Sequence, residues 1–256
     1  MRNKLCRIGP SVPSIRKSIP WKSRFRQGVV VAVLVTLTCH AALAQRKSDA
    51  AAPKEIPGTA TDAATRCLDS LSASGAEFIP AKAPLLPPSA SASAATCAIR
   101  DPVVLTAVSI VGQPASRISL PSKPLLSCEM AERFSQFVIT VAMPLAKGTF
   151  NKPLISIETG PGFECRPRNR QVGAKMSSHA QGNAVDVSAI ALAGNETHNV
   201  LQSHDVQARQ FFVALRMAGC GAFSTVLGPG SDAFHSDHLH FDIEKRGHDG
   251  KSKFCQ

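Results

Sequence analysis

Eight cysteines in 256 residues, none of them in a Cys-x-x-Cys pair, constrain this chain more than any other feature. They stand at positions 6, 39, 67, 97, 128, 165, 220 and 255. Without a close pair, a zinc ribbon is a poor reading. Disulfides are the better one, and they persist in oxidising compartments outside the cytosol. The N-terminus agrees with export. A basic stretch precedes the apolar run Gly28-Val-Val-Val-Ala-Val-Leu-Val-Thr-Leu-Thr38, and Ala42-Leu43-Ala44 has the small-x-small form of a cleavage site. The run is short of the roughly 20 residues that a membrane span needs. Residues 1–44 therefore read as a secretory signal peptide. The alternative is an uncleaved N-terminal anchor, which would be the chain's only membrane contact. Cleavage after Ala44 removes Cys6 and Cys39 and leaves six cysteines, an even set for three bridges. The sequence does not choose among the pairings.

Charge narrows the function. The formal net charge is +11, but eight of the 29 Lys and Arg residues lie in residues 1–44, which hold no Asp or Glu. The remainder carries 21 basic against 18 acidic groups, a balance of +3. A nucleic-acid binder needs a basic face on its folded part, so no nucleic-acid partner is expected. A hydrophobic content of 44% also argues against a wholly disordered chain.

Residues 45–96 read as a flexible low-complexity region. It holds an Ala/Lys/Thr/Asp tether over 45–65 and a Pro/Ser/Ala stretch over 79–96 that cannot build a packed core. A bridge between Cys67 and Cys97 would close that stretch as a loop. From residue 97 the pattern becomes globular, and we place the folded domain at 97–256. Val103–Val111, Arg117–Leu120, Leu154–Glu158, Asn183–Ile190, Phe223–Leu227 and Leu239–Ile243 read as strands. Between Ser127 and Leu145, apolar residues at 130, 134, 137, 138, 141 and 145 mark one helical face, with Ser127 as cap, Glu129 in the first turn and Pro144 at the end. Asp205–Ala218 reads as a second helix, ended by Gly219 or Gly221. The expected fold is α+β: a small antiparallel sheet with flanking helices, stapled by disulfides.

Two clusters carry chemistry. One is Ser177-Ser178-His179-Ala180-Gln181-Gly182-Asn183-Ala184-Val185-Asp186; the other is His235-Ser236-Asp237-His238-Leu239-His240-Phe241-Asp242. Asp186 lies inside a strand, and Ala184 shares its face by alternation, leaving room beside a metal. His238 and His240, two apart on a strand, would point the same way. Two strands could thus gather His179, Asp186 and His240, with His238 adjacent. Two histidines and a carboxylate suit a catalytic zinc, which keeps a further position for water. A nearby base must still manage protons, and His238 and Asp237 are both placed for that. Asp242 reads as a carboxylate that orients a ligand imidazole. His235 would do the same or nothing, and His198, His204 and His248 read as surface residues. No Gly-x-Ser-x-Gly elbow surrounds Ser177, so a serine nucleophile is not indicated.

The first cluster matches Ser-x-His-x-x-Gly-x-Ala-x-Asp at Ser177, His179, Gly182, Ala184 and Asp186. This resembles the zinc D-alanyl-D-alanine peptidases and their lysostaphin and hedgehog relatives, in which that His and Asp bind zinc and a later His completes the set. The resemblance implies zinc on His179, Asp186 and His240. Gly162-Phe163-Glu164-Cys165-Arg166 resembles the same group's Gly-Tyr-Arg segment, which implies that Arg166 holds substrate; Ser177 matches a substrate-contacting position. Carboxypeptidases of the group show Glu-x-Trp-His, where this chain has Asp237 and Leu239; endopeptidase branches use His-x-His, which His238-Leu239-His240 satisfies. His238 is therefore the preferred general base or transition-state stabiliser, and Asp237 the second candidate. Cys165–Asn169, Ser177–Asp186, Cys220–Gly230 and His235–Asp242 together are similar to the bacterial extensin-like family, over its C-terminal domain. The expected function is an exported zinc peptidase acting on peptidoglycan peptides in the periplasm or cell envelope. The rivals are a non-catalytic wall-binding module and an envelope protein in which zinc only stabilises the sheet. The chain after residue 44 has no Trp or Tyr, which weakens sugar stacking as a binding mode.

Overall fold

Alternating apolar residues build the sheet, and periodic ones build the helices that cover it. The computed structural model describes residues 60–84, 97–201 and 205–256. The expected leader, the tether up to residue 59, His204 and the low-complexity residues 85–96 lie outside the described residues. The strands are β1 (Ala76–Pro80), β2 (Pro102–Ile110), β3 (Gln113–Ser119), β4 (Leu125–Ser127), β5 (Leu154–Thr159), β6 (Ala184–Leu192), β7 (Glu196–Asn199), β8 (Thr225–Leu227), β9 (Leu239–Asp242) and β10 (Phe254–Cys255). The helices are α1 (Ala60–Ala73), α2 (Cys128–Phe137), α3 (Met143–Phe150) and α4 (Val206–Ala222).

The sheet runs β1-β2-β3-β5-β6-β9-β8-β10, with β4 on β2 and β7 on β6. It is larger than expected and mixed rather than antiparallel, because β3 with β5 and β8 with β10 are parallel. Parallel neighbours need a long crossover, and α2 and α3 supply it between β3 and β5. The class is α+β, as the sequence suggests. Val185 and Val187 of β6 and Leu239 and Phe241 of β9 enter the apolar core with residues of α2 and α4. Phe137, Phe223 and Phe241 pack there, edge-on or tilted, at centroid distances of 5.0–5.4 Å. By the two-residue period, Asp186 and His240 then project from the face away from the helices.

Helix α2 starts as its sequence dictates: Ser127 Oγ accepts from Met130 N at 3.3 Å, and Glu129 sits in the first turn. Its end differs. Pro144 does not stop the helix, because a π-turn over Val138–Ala142 precedes it, Met143 N–H bonds to Val138 O, and Pro144 falls in the first turn of α3. A proline needs no donor there. Helix α4 is capped by Asp205, which accepts from Gln207 and Ala208 N–H, but it runs through Gly219 and Gly221. Gly219 serves packing instead: a Cβ there would lie 2.5 Å from Phe241 Cε1.

Residues 60–80, read from composition as flexible, form α1 and β1. Ala64, Cys67, Leu68 and Leu71 make one helical face, and Leu71 is fully buried. The three disulfides are present, but the Cys67–Cys97 pairing is wrong. Cys67 joins Cys128, Cys97 joins Cys165, and Cys220 joins Cys255. Packing of α1 on α2 carries Cys67 to Cys128, a geometry that a loop-closing argument does not contain. Among the described residues no helix is long and apolar enough to cross a membrane.

Candidate metal centre

Strand register makes the centre. β6 and β9 are antiparallel, with Asp186 opposite His240 and Ala184 opposite Asp242. Directly opposed residues have Cα atoms about 5 Å apart, close enough for an imidazole to meet a carboxylate. His179 arrives on a 3₁₀ turn, Ser178–Gln181, whose cap is Ser177 and whose end is Gly182 at φ +64°. A Cβ on Gly182 would lie 2.4 Å from Ile99 Cδ1 and 2.8 Å from Ser127 N, so both the backbone angle and the space require glycine.

His240 Nδ1 lies 2.9 Å from Asp186 Oδ1, His179 Nε2 lies 3.2 Å from Asp186 Oδ2, and the two ring nitrogens stand 3.2 Å apart. Ligand atoms from the three residues all fall within 4.8 Å of one another. Two ligands each about 2.1 Å from a tetrahedral zinc stand roughly 3.4 Å apart, so the set needs little rearrangement to share one ion. The outer ring atoms are also occupied suitably. His179 Nδ1–H donates to Gly162 O at 2.7 Å, which leaves the Nε2 lone pair facing the cluster. His240 Nε2 faces Asp242 Oδ2 at 3.4 Å, which leaves Nδ1 inward. Ser178 Oγ–H donates to the same Asp242 oxygen at 3.1 Å.

Electrostatics show how tightly these groups are coupled. Burial pushes the Asp186 carboxyl up, but His179 and His240 outweigh it and hold it well below the usual range. Burial pushes His240 down, while hydrogen bonds to Asp186 and Asp242 raise it to about 9. Without an ion the pocket holds a proton, and metal binding competes with that proton.

A cleft of about 640 Å³ opens over the cluster. All of the sequence-predicted site residues line it: Arg166, Ser177, His179, Asp186, Asp237, His238 and His240. His238 precedes β9, yet its Nε2 reaches within 3.6 Å of Asp186 Oδ1. Its Nδ1 binds Asp237 Oδ1 at 2.8 Å. Thus His238 faces the cluster and Asp237 stands behind it. Ser177 Oγ also accepts from His179 N–H at 3.4 Å, so it caps the turn as well as lining the cleft. His235 is buried, bonds Asp232 at 2.7 Å through Nδ1, and packs 5.1 Å from the His238 ring. His198 is not a free surface residue: it stacks on Phe150 at 4.8 Å and bonds Glu196. His248 is exposed as expected.

Sequence reasoning missed three supports. Gly162 O carries no side-chain signal. Glu164 takes Arg166 Nε and Arg170 Nη2 at 2.8 Å each. Glu244 gathers Arg168, Lys175 and Arg246. A carboxylate amid the arginines at 166, 168 and 170 was the available hint for Glu164.

The chain was compared with known proteins. The family model described as Extensin-like protein C-terminus matches residues 65–256. The match begins inside α1, upstream of the boundary expected at residue 97, and spans β6, β9 and the turn that carries His179. No curated protein and no solved structure matches.

Proposed function

The chain belongs to the extensin-like protein C-terminus family, and on that premise we propose that it is an exported, zinc-dependent peptidase of the cell wall. One observation carries the reading: His179, Asp186 and His240 converge on one point at the floor of an open cleft. A buried cluster that served stability alone would have no use for that opening. Two imidazoles and one carboxylate are the donor set of hydrolytic zinc sites. When bound, zinc there supplies a Lewis acid that makes water acidic near neutral pH and polarises a carbonyl.

The chain's own residues do the rest. His238 Nε2 faces the cluster and accepts a proton from water in the cleft; Asp237 holds its Nδ1–H and stabilises the charge that forms. Water oxygen bonds to the peptide carbonyl carbon, the C–N bond breaks, and His238 returns the proton to the departing amine. Arg166 and Ser177, both on the cleft wall, hold the peptide's carboxylate or backbone. Asp242 and the Gly162 carbonyl fix the ligand rings. Three disulfides support an oxidising compartment, and the periplasm or cell envelope satisfies both that and a wall substrate.

Incubating the purified zinc-loaded domain with isolated sacculi tests this. Mass spectrometry should find soluble peptides with new amine termini. His238→Ala should retain its metal and lose roughly 10²–10⁴-fold in rate. Co-sedimentation with sacculi without released products would instead identify a wall-binding module. Loss of thermal stability on metal removal, with no wall interaction, would identify a structural site.

A further inference from the structure

Beyond Arg166, the cleft carries three more guanidinium groups: Arg168, Arg170 and Arg246. Past the leader the chain is nearly neutral, so four arginines on one wall are a local concentration. They are graded in depth, with side-chain exposures of 19% for Arg166, 25% for Arg246, 37% for Arg168 and 69% for Arg170. Their carboxylate partners, Glu164 and Glu244, stand behind them and do not line the cleft. Two carboxylates therefore brace five cations, Lys175 among them, and leave the wall positive. The same cleft is lined by Asp186, Asp242, Asp232 and Asp237, each bonded to a histidine.

The backbone gives a second, independent observation. Pro167 bridges Met176, and Arg168 N–H bonds Lys175 O, so residues 166 and 168 lie on an extended arm and face the same way. The arm turns at Asn169 and Arg170, with φ of +54° and +57°, and Gln171 N–H bonds Arg168 O at 3.0 Å. Asparagine suits the first left-handed position. Glycine is the residue that suits the second. An arginine occupies it, which backbone preference does not explain; its side chain lines the cleft rim and pairs with Glu164. Arg246 is braced further, by Thr225 Oγ1 at 2.7 Å and by the Phe254 ring 5.5 Å away.

We infer that this wall is a subsite for a second carboxylate, so that the centre selects peptides bearing two free carboxylates over those bearing one. The substrate class rests on the peptidase reading above; the selectivity rests on the arginines. Planar guanidinium forks match carboxylates and strengthen with each charge-assisted bond.

The probe is acetyl-L-Ala-γ-D-Glu-L-Lys-D-Ala-D-Ala with the glutamate α-carboxylate free, compared with the same peptide carrying an amide there. Calorimetry on the zinc-loaded His238→Ala protein reads binding without turnover. The free form should bind about tenfold more tightly, a difference of one charge-assisted pair. In the Arg168→Gln and Arg170→Gly backgrounds the ratio should fall to about one. Glycine is favoured at φ +57°, so the second variant removes the charge without disturbing the turn. Equal affinity for the two peptides, or a ratio that survives both substitutions, overturns the subsite. Cleavage of neither peptide by the wild-type chain, with the ratio intact, sinks the peptidase reading and keeps the subsite. Cleavage of both at equal affinity does the reverse.

Discussion

Asp242 accepts from Ser178 Oγ and stands 3.4 Å from His240 Nε2, on the far side of the ring from Asp186. It lines the cleft, and its contact with Nε2 decides which nitrogen of His240 points inward. Replacing it with Asn leaves the shape and removes the acceptor charge. The expected result is a roughly 10–100-fold loss of zinc affinity with the fold intact, read by competition with a fluorescent chelator. At this scale much was legible in advance. His179, Asp186 and His240 could be singled out because side chains of those types at those spacings suit a metal, and the fold brings them together. Asp242 was legible as a carboxylate partner of one of these rings, and it stands beside His240. The Gly162 carbonyl was not, because every residue has one and only the fold brings that one to His179. Nor was the place of Glu244 behind the arginines, since an ion pair 76 residues apart, Arg168 with Glu244, leaves no local trace.

Register is the property of elements on which the centre depends. A one-residue slip between β6 and β9 would send Asp186 or His240 into the core. Apolar packing of Val185, Val187, Leu239 and Phe241 opposes that slip. Gly219 of α4 admits Phe241 to its place. Gly219→Ala would set a Cβ 2.5 Å from Phe241 Cε1, and overpacking of this kind costs about 1–3 kcal/mol. Chemical denaturation should show a lower midpoint for that variant, with zinc binding weakened because His240 is Phe241's neighbour. An unchanged midpoint would mean that α4 and β9 are not packed as described. Most strands and both amphipathic helices could be read from periodicity, because burial of one face imposes it. Helix α1 and strand β1 could not. The stripe of α1 is only Ala64, Cys67, Leu68 and Leu71, β1 adds Ala76 and Phe78, and composition around them resembles a linker. The end at Pro144 was misjudged for a related reason. A proline stops a regular helix, and no sequence rule announces the π-turn that accommodates it.

Across the whole molecule, the disulfides join parts that the sheet alone leaves apart. Cys67–Cys128 pins α1 to α2, Cys220–Cys255 holds β10 to α4, and Cys97–Cys165 anchors the loop that carries the arginine wall. The loop also has backbone ties of its own, Phe163 N–H to Leu125 O and Ser177 N–H to Arg166 O. Converting both Cys97 and Cys165 to Ser should therefore lower stability by about 2–4 kcal/mol while zinc stays at one per chain, as denaturant unfolding and metal analysis would read. Loss of metal in that variant would show that the bridge, not the β6–β9 register, organises the ligands. The number of bridges could be counted from the sequence, but their pairing required the packing. The central claim is that two imidazoles and one carboxylate from distant stretches share one divalent ion. Elemental mass spectrometry of the purified domain and of Asp186→Asn tests it most directly. The account predicts close to one zinc per chain in the first and a small fraction of that in the second. Equal zinc in the two proteins, or none in either after zinc loading, would contradict it.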